Sequence, residues 1–401
     1  MWQKIKNYYH LLQAALSAVF FNFPSSKITV IGVTGTDGKT TTVHMIYEIL
    51  KSAGLKVSMV SSIYASIGSK TYDTGLHITT PSSWQIQRLL RKAVDSDHKY
   101  FILETTSHGL DQNRLAFTKV EIGVLTNITH EHLDYHKSWK NYATAKLRLL
   151  KIAKKAIINA DDEKSYDFAT KKLKETPITY SIGNKSDFNL KSFNLKLKIK
   201  GVYNLSNALA AAAATATLGV SKPKITKALS AFAGAKGRMD KIDLKQKFDL
   251  YIDFAHTPNG LQQALFTLRS QMDRRTASRL IAVFGAASER DVFKRPLMGE
   301  VADTYADIVF VTSEDPRKEN PAKIAAEITR GIKTKKNGRD LFVIHNRTEA
   351  INYAIEIAKP GDIVALFGKG HEKSMAINGR ETPWDEYETA RHAIRKKNAK
   401  N

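Results

Sequence analysis

The chain has 401 residues, enough for two or three domains that each bury a core, and no cysteine, which excludes a disulfide framework, a thiol nucleophile and a cysteine-ligated metal. A formal net charge of +23 fits anionic partners or a lysine-rich background. The lysines are spread through 151–200 and 222–247, and no nucleic-acid motif is present, so nucleic acid is not expected as a partner.

The first element in chain order is an apolar run over residues 8–23, from Tyr8 to Phe23, preceded by Lys4 and Lys6 and broken by His10, Gln13, Ser17 and Asn22. It has the outline of a signal peptide but falls short of the roughly 20 residues a helix needs to cross a bilayer. Two readings stay open: a helix packed on the body of the protein, or one lying at the membrane surface. Residues 1–24 are read as this hydrophobic extension.

Residues 28–33 read as a buried strand and 39–53 as a helix with Val43, Ile46, Ile49 and Leu50 on one face. Between them lies Gly35-Thr36-Asp37-Gly38-Lys39-Thr40-Thr41, a glycine-rich strand-to-helix turn ending in lysine and hydroxyl residues. Such a turn presents backbone N–H groups to phosphates; Lys39 would neutralise their outer charge and the Thr40 hydroxyl would reach Mg²⁺. Val33 stands where the strict phosphate-loop spacing has its first glycine, so an ordinary helix-capping turn remains the alternative. A nucleotide loop would be of no use outside the cytosol, so the expected location is the cytoplasm, with membrane association through residues 8–23 left open.

Strands at 56–60, 100–103, 121–126 and 156–159 alternate with helices at 84–94 and 138–153, the pattern of a mostly parallel sheet covered on both faces. Residues 176–200 are expected to form edge strands, and 204–218 an alanine-rich helix. After the loop 233–237 the alternation restarts, with strands at 249–254, 280–284, 308–312, 341–344 and 363–367. The expected fold is α/β: a central phosphate-loop ATPase-like domain over 25–236, followed by a Rossmann-like C-terminal α/β domain over 237–401. Glu104 ends a strand, where the carboxyl edge of a parallel sheet lines its ligand crevice, and can hold Mg²⁺. His130, Glu131, His132, Asp134 and His136 follow another strand; a zinc cluster and a phosphate-and-magnesium site both fit these residue types, and the upstream loop favours magnesium.

Eleven ordered motifs then resemble a known family. They are the loop 35–40, Thr79-Thr80-Pro81, residues 104–110 and 131–136, Tyr142-Ala143-Thr144-Ala145-Lys146, Asn204-Leu205-Ser206-Asn207-Ala208, Gly237-Arg238-Met239-Asp240, residues 253–258, residues 290–296, Glu314-Asp315-Pro316-Arg317 and Gly368-Lys369-Gly370-His371-Glu372. The set is similar to the Mur ligases, specifically the MurE type, over roughly residues 27 to 390. The resemblance implies an ATP-dependent, ADP-forming amide ligase. It would add a diamino acid (meso-diaminopimelate, L-lysine or similar) to UDP-N-acetylmuramoyl-L-alanyl-D-glutamate through an acyl phosphate, in peptidoglycan precursor synthesis.

By the same resemblance Lys39 and Thr40 hold the phosphates and one of two Mg²⁺ ions, Glu104 and His132 bind metal, and Lys146 is a carbamylated lysine. Asn204 and Asn207 serve the adenine, Arg238 the γ-phosphate, and Asp253 and His256 the ribose and base. Thr79, Thr80, Thr106, Gln112 and Arg114 meet the peptide; Asp315, Arg317 and Glu372 meet the incoming amino acid. Residues 1–24 stand where the family has a uridine-binding domain. Glu314-Asp315-Pro316-Arg317 replaces the Asp-Asn-Pro-Arg of diaminopimelate-adding members, an extra acid that suits a bare ammonium at least as well. Thr106 replaces a serine and Glu131 an aspartate. A folylpolyglutamate-synthase-like ligase, a ligase of lipid-linked muramoyl peptide and a non-catalytic nucleotide-binding partner are the alternatives.

Overall fold

The computed structural model describes residues 2–68, 70–72, 79–183, 185–273, 277–288 and 291–399. Arg290, part of one motif, lies outside them. The chain divides into two compact units, Met1–Thr129 with His136–Ala233, and His130–Tyr135 with Gly234–Asn401.

In the first unit, the described residues form a nine-stranded sheet. Its strands are β1 (Thr29–Thr34), β2 (Val57–Val60), β3 (Ala65–Ile67), β4 (Lys70–Tyr72), β5 (Tyr100–Glu104), β6 (Val120–Leu125), β7 (Ala153–Asn159), β8 (Ile178–Ser181) and β9 (Phe188–Asn189). The order is β4-β3-β2-β5-β1-β6-β7-β8-β9; only the β2-β3-β4 meander is antiparallel. Strands buried on both faces need unbroken apolar runs, and residues 30–34 of β1 and all of β2 are buried. The helices Lys39–Ser52 and Val202–Thr217 pack together on one face. Residues 208–214, alanine at every position but Leu209, are all inaccessible, and the small alanine side chains let the two helix axes approach closely.

Two expectations change. Residues 190–200 alternate apolar and polar like a strand, yet none of them lies in one. Phe193 stacks on Phe188 at 6.1 Å, and Leu195, Leu197 and Ile199 rest against the core, so the alternation buries one edge of a loop. The segment His130–Tyr135, read as central-domain, belongs to the second unit, where His130 Nε2 lies 2.9 Å from Asp291 and Glu131 Oε1 lies 3.2 Å from Lys294 Nζ.

The second unit is a six-stranded sheet among the described residues: β10 (Asp240–Ile242), β11 (Asp249–Asp253), β12 (Leu280–Phe284), β13 (Ile308–Val311), β14 (Leu341–Val343) and β15 (Ile363–Phe367), ordered β10-β11-β15-β12-β13-β14. All pairs are parallel except β10 with β11. Helices Pro258–Gln271 and Lys294–Tyr305 cover one face and Arg347–Ile357 and Glu386–Asn398 the other. A hairpin of β16 (Ser374–Ile377) and β17 (Arg380–Pro383) was not anticipated, although Asn378-Gly379 at its tip, φ 51° and 74°, is a turn signal.

Candidate active site

The turn between β1 and the helix Lys39–Ser52 is built for close approach. A Cβ on Gly35 would lie 1.7 Å from Thr126 Oγ1, and one on Gly38 would lie 2.2 Å from Asn207 Oδ1; Gly38 also has φ 83° at the helix N-cap. Only glycine fits either place. Asp37 between them is held on both sides: its N–H donates to Asn127 Oδ1 at 2.9 Å and its carbonyl accepts from Thr126 Oγ1 at 2.6 Å. Lys39 Nζ donates to the Thr36 carbonyl at 2.8 Å, and Thr41 is buried in the first helical turn.

Glu104, 1% exposed at the end of β5, is the acid of this pocket. Its Oε1 accepts from Thr40 Oγ1 at 3.0 Å and its Oε2 from the Ser62 N–H at 2.9 Å, while the Thr40 and Ser62 hydroxyls lie 3.0 Å apart. One carboxylate and two hydroxyls beside a glycine-rich strand-to-helix turn fit Mg²⁺, which takes few protein ligands and completes its shell with phosphate oxygens and water. Ser62 escaped the sequence reading, though it follows a crevice strand. Among the described residues no three His, Asp or Glu side chains converge as a metal nest, so the zinc alternative gains no ligand set.

Lys146 is 1% exposed; its Nζ donates to the Gly35 carbonyl at 2.6 Å and sits 4.4 Å over the Tyr142 ring. The Tyr142 hydroxyl in turn lies 3.1 Å from Thr36 Oγ1, and His136 lies beside that ring at 5.3 Å. The alanine-rich helix brings Asn207 against the turn, with Asn207 Nδ2 donating to Asn204 Oδ1 at 3.4 Å.

Next to Glu104 the expected peptide residues form one cluster. Thr80 Oγ1 accepts from the Thr106 N–H at 2.8 Å and lies 3.1 Å from Thr106 Oγ1. Arg114 donates to the Thr80 carbonyl at 2.5 Å and, through Nε and Nη2, to Gln112 Oε1 at 3.0 and 2.7 Å. Thr79 precedes Thr80 at half-buried depth.

The second unit carries the remainder. The Arg238 guanidinium stacks 4.5 Å over Phe254, and His256 Nδ1 lies 2.8 Å from the Phe254 carbonyl. Asp253, ending β11, accepts from the Ala255 and Met239 N–H groups at 2.7 and 2.6 Å, a turn-capping geometry. His132 adopts φ 56°, its Nδ1 4.0 Å from Glu131 Oε1.

Beyond β13 and β15 lies a set of buried charges. Lys369 Nζ, wholly inaccessible, is 2.9 Å from Asp315 Oδ1 and 2.6 Å from Glu372 Oε2. Burial opposes its charge, but Glu372 and Asp315 outweigh that and hold its pKa above the ordinary value. The hairpin β16–β17 orients the same strip: Ala376 N–H donates to Asp315 Oδ1 at 3.0 Å, and Arg317, at φ 47°, donates its N–H to the Ala376 carbonyl at 2.8 Å. Desolvation pushes the Glu314 carboxyl up to about 7, against the pull of Lys294, Lys369 and Arg347. Arg347 is committed to Glu386, its Nε 2.9 Å from Oε2. Lys369 lies within the last of the ordered motifs, three residues from Glu372, and only the fold brings Asp315 to the pair.

Comparison with known proteins accounts for both units. Residues 33–215 match the Mur ligase middle domain, and residues 237–370 match the Mur ligase glutamate ligase domain. The chain is 37% identical, over 95% of its length and 81% of the relative's, to UDP-N-acetylmuramoyl-L-alanyl-D-glutamate–2,6-diaminopimelate ligase 1 of Clostridium acetobutylicum. It is 38% identical, over 94% of its length and 78% of the relative's, to UDP-N-acetylmuramyl-tripeptide synthetase of Borreliella burgdorferi. Among solved structures, a UDP-N-acetylmuramoyl-L-alanyl-D-glutamate–2,6-diaminopimelate ligase superposes with TM-score 0.60 at 32% identity, covering 92% of this chain and 79% of that one. The MurF ligase of Thermotoga maritima in complex with ADP reaches 0.66 at 18% identity over 98% and 84%, a likeness of fold alone. The identity to relatives of one kind, over nearly the whole chain, shows that it belongs to the Mur ligases, ATP-dependent amide-forming enzymes, and within them to the MurE type.

Proposed function

We propose that this enzyme, in the cytoplasm, joins a diamino acid to the D-glutamate carboxylate of UDP-N-acetylmuramoyl-L-alanyl-D-glutamate, and that the diamino acid is diaminopimelate; the names of its relatives pair the same acceptor with 2,6-diaminopimelate. When bound, magnesium-ATP supplies the phosphoryl group that turns the carboxylate into an acyl phosphate, from which phosphate leaves as the amine nitrogen attacks and loses its proton.

The chain's own residues bind and orient. Gly35 and Gly38 let backbone N–H groups approach the phosphates, Lys39 supplies countercharge, and Thr40, Ser62 and Glu104 hold the metal. Thr80, Thr106, Gln112 and Arg114 hold the peptide beside Glu104. Asn204, Asn207, Arg238, Asp253 and His256 serve the nucleotide, and His132 a second Mg²⁺. Lys146 takes up CO₂: the ammonium first gives up one proton, the neutral amine adds to the carbon, a second proton leaves the nitrogen, and the carbamate formed is an anion suited to the metal region.

The observation that carries the choice of diaminopimelate is the pairing of Lys369 with both Asp315 and Glu372. A strip with Arg317 and Lys369 against Asp315 and Glu372, and with Glu314 half-protonated near neutrality, has no large anionic surplus. It complements an amino-acid zwitterion, whose carboxylate Arg317 can take bidentately, better than the bare ammonium of lysine or ornithine. Assaying phosphate release from UDP-N-acetylmuramoyl-dipeptide and ATP with diaminopimelate, lysine or ornithine tests this. Turnover with diaminopimelate alone is expected; preference for lysine would refute the assignment.

A further inference from the structure

The helix Trp2–Phe20 packs on the helix Ser83–Asp95 with the usual distribution of sizes reversed. Its inward residues are small: Ala14, Ser17 and Ala18 are wholly buried. Its outward residues are large and apolar. Tyr8, Leu12, Leu16, Val19 and Phe20 are 60–73% exposed, and their spacing of four, four, three and one places them on a single helical stripe. The stripe continues onto the second helix, where Trp84, 39% exposed, meets the Phe20 ring at 4.9 Å. A continuous apolar surface of this extent marks an interaction site.

The two helices that form it carry a cationic excess. No aspartate or glutamate occurs before Asp37, while Lys4, Lys6 and Lys27 do. The helix Ser83–Asp95 contributes Arg88, exposed one turn from Trp84, with Arg91 and Lys92; its single acid is the terminal Asp95, which Arg91 Nε already holds at 2.9 Å.

We propose that this face docks the protein on an anionic lipid bilayer, the helix lying flat with its stripe among the headgroups and Lys6 and Arg88 against lipid phosphates. No described helix is long and apolar enough to cross a membrane, so the attachment is peripheral. The outward stripe is a convex helix surface rather than a groove, and aromatic Tyr8 and Trp84 suit the boundary between hydrocarbon and water. A second copy is the poorer occupant, because a two-fold contact would set the same cations against each other, and the one acid of the two helices, Asp95, is already held by Arg91. The inference stands independently of the substrate assignment.

The test is co-sedimentation of the full chain with phosphatidylcholine vesicles and with vesicles about one-quarter phosphatidylglycerol, alongside sedimentation velocity without lipid. Binding to the anionic vesicles is expected to fall at least about tenfold in Leu12→Glu/Leu16→Glu, and several-fold in Lys6→Gln/Arg88→Gln or at high salt, with ATP turnover unchanged. Equal binding to neutral vesicles, binding to neither, or a lipid-free dimer abolished by Leu12→Glu/Leu16→Glu would overturn it.

Discussion

Lys369 Nζ lies 2.9 Å from Asp315 Oδ1, with the lysine side chain wholly out of water. A buried cation of this kind is kept only by its counterions, and Asp315 and Glu372 are at the same time the acids assigned to the incoming amino acid. Removing the cation strands two carboxylates, one of them buried. Lys369→Met should therefore cost about 3 kcal/mol of stability and raise the amino acid's KM far more than that of ATP. Denaturant titration and initial rates check both halves; equal rises in the two KM values would remove Lys369 from the acceptor pocket.

The Glu314 carboxyl, pushed up to about 7 by burial, ties stability to pH. A carboxyl whose folded pKa is raised binds its proton more tightly in the native state, so its contribution is fully present below the ordinary value of 4.5 and is lost as pH rises through about 7. The window is therefore pH 4.5 to 7, with a span of at most about 3 kcal/mol. Glu314→Gln should flatten the fall of the urea midpoint across that window. An unchanged slope in the variant would show that other groups set it.

At Gly35, a methyl group has nowhere to go, since it would lie 1.7 Å from Thr126 Oγ1. Gly35→Ala should lower stability by about 1–3 kcal/mol and abolish the thermal shift that ATP and Mg²⁺ confer on the parent. Retention of the nucleotide-dependent shift would separate this turn from phosphate binding.

Lys146→Ala should nearly abolish turnover while leaving circular dichroism intact, and short carboxylates such as acetate should restore part of the rate by standing in for a carbamate. Rescue by an alkylamine instead would indicate that a plain ammonium is the working form.

The domain-scale fold was legible because burial imposes period. Strands such as 280–284 and 363–367, apolar throughout, coincide with β12 and β15, since a strand covered on both faces cannot afford polar residues. The short β3–β4 and β16–β17 hairpins were not, because three or four residues carry too little pattern to separate a strand from a loop. At the turn 35–41 the residue types named the members of the proposed phosphate site, and the lack of room beside Gly35 and Gly38 agrees with glycine there. Residue types could not reveal Ser62 as the third member of the Thr40–Glu104 set, because serine is common at strand ends and only its approach to both groups distinguishes it.

By itself the sequence determined the layered α/β architecture, the glycine-rich strand-to-helix turn and the family, all of which rest on local period and ordered motifs. Tertiary structure alone decided the charge balance of the strip around Lys369. In the one-dimensional chain Glu314-Asp315 reads as surplus acid, but its proximity to Lys369, from another strand end, and its withdrawal from water set how much of that charge survives. The same holds for residues 8–23, whose apolar character was plain while the face left to solvent was not: a helix shows which residues share a side, and only packing shows which side is covered.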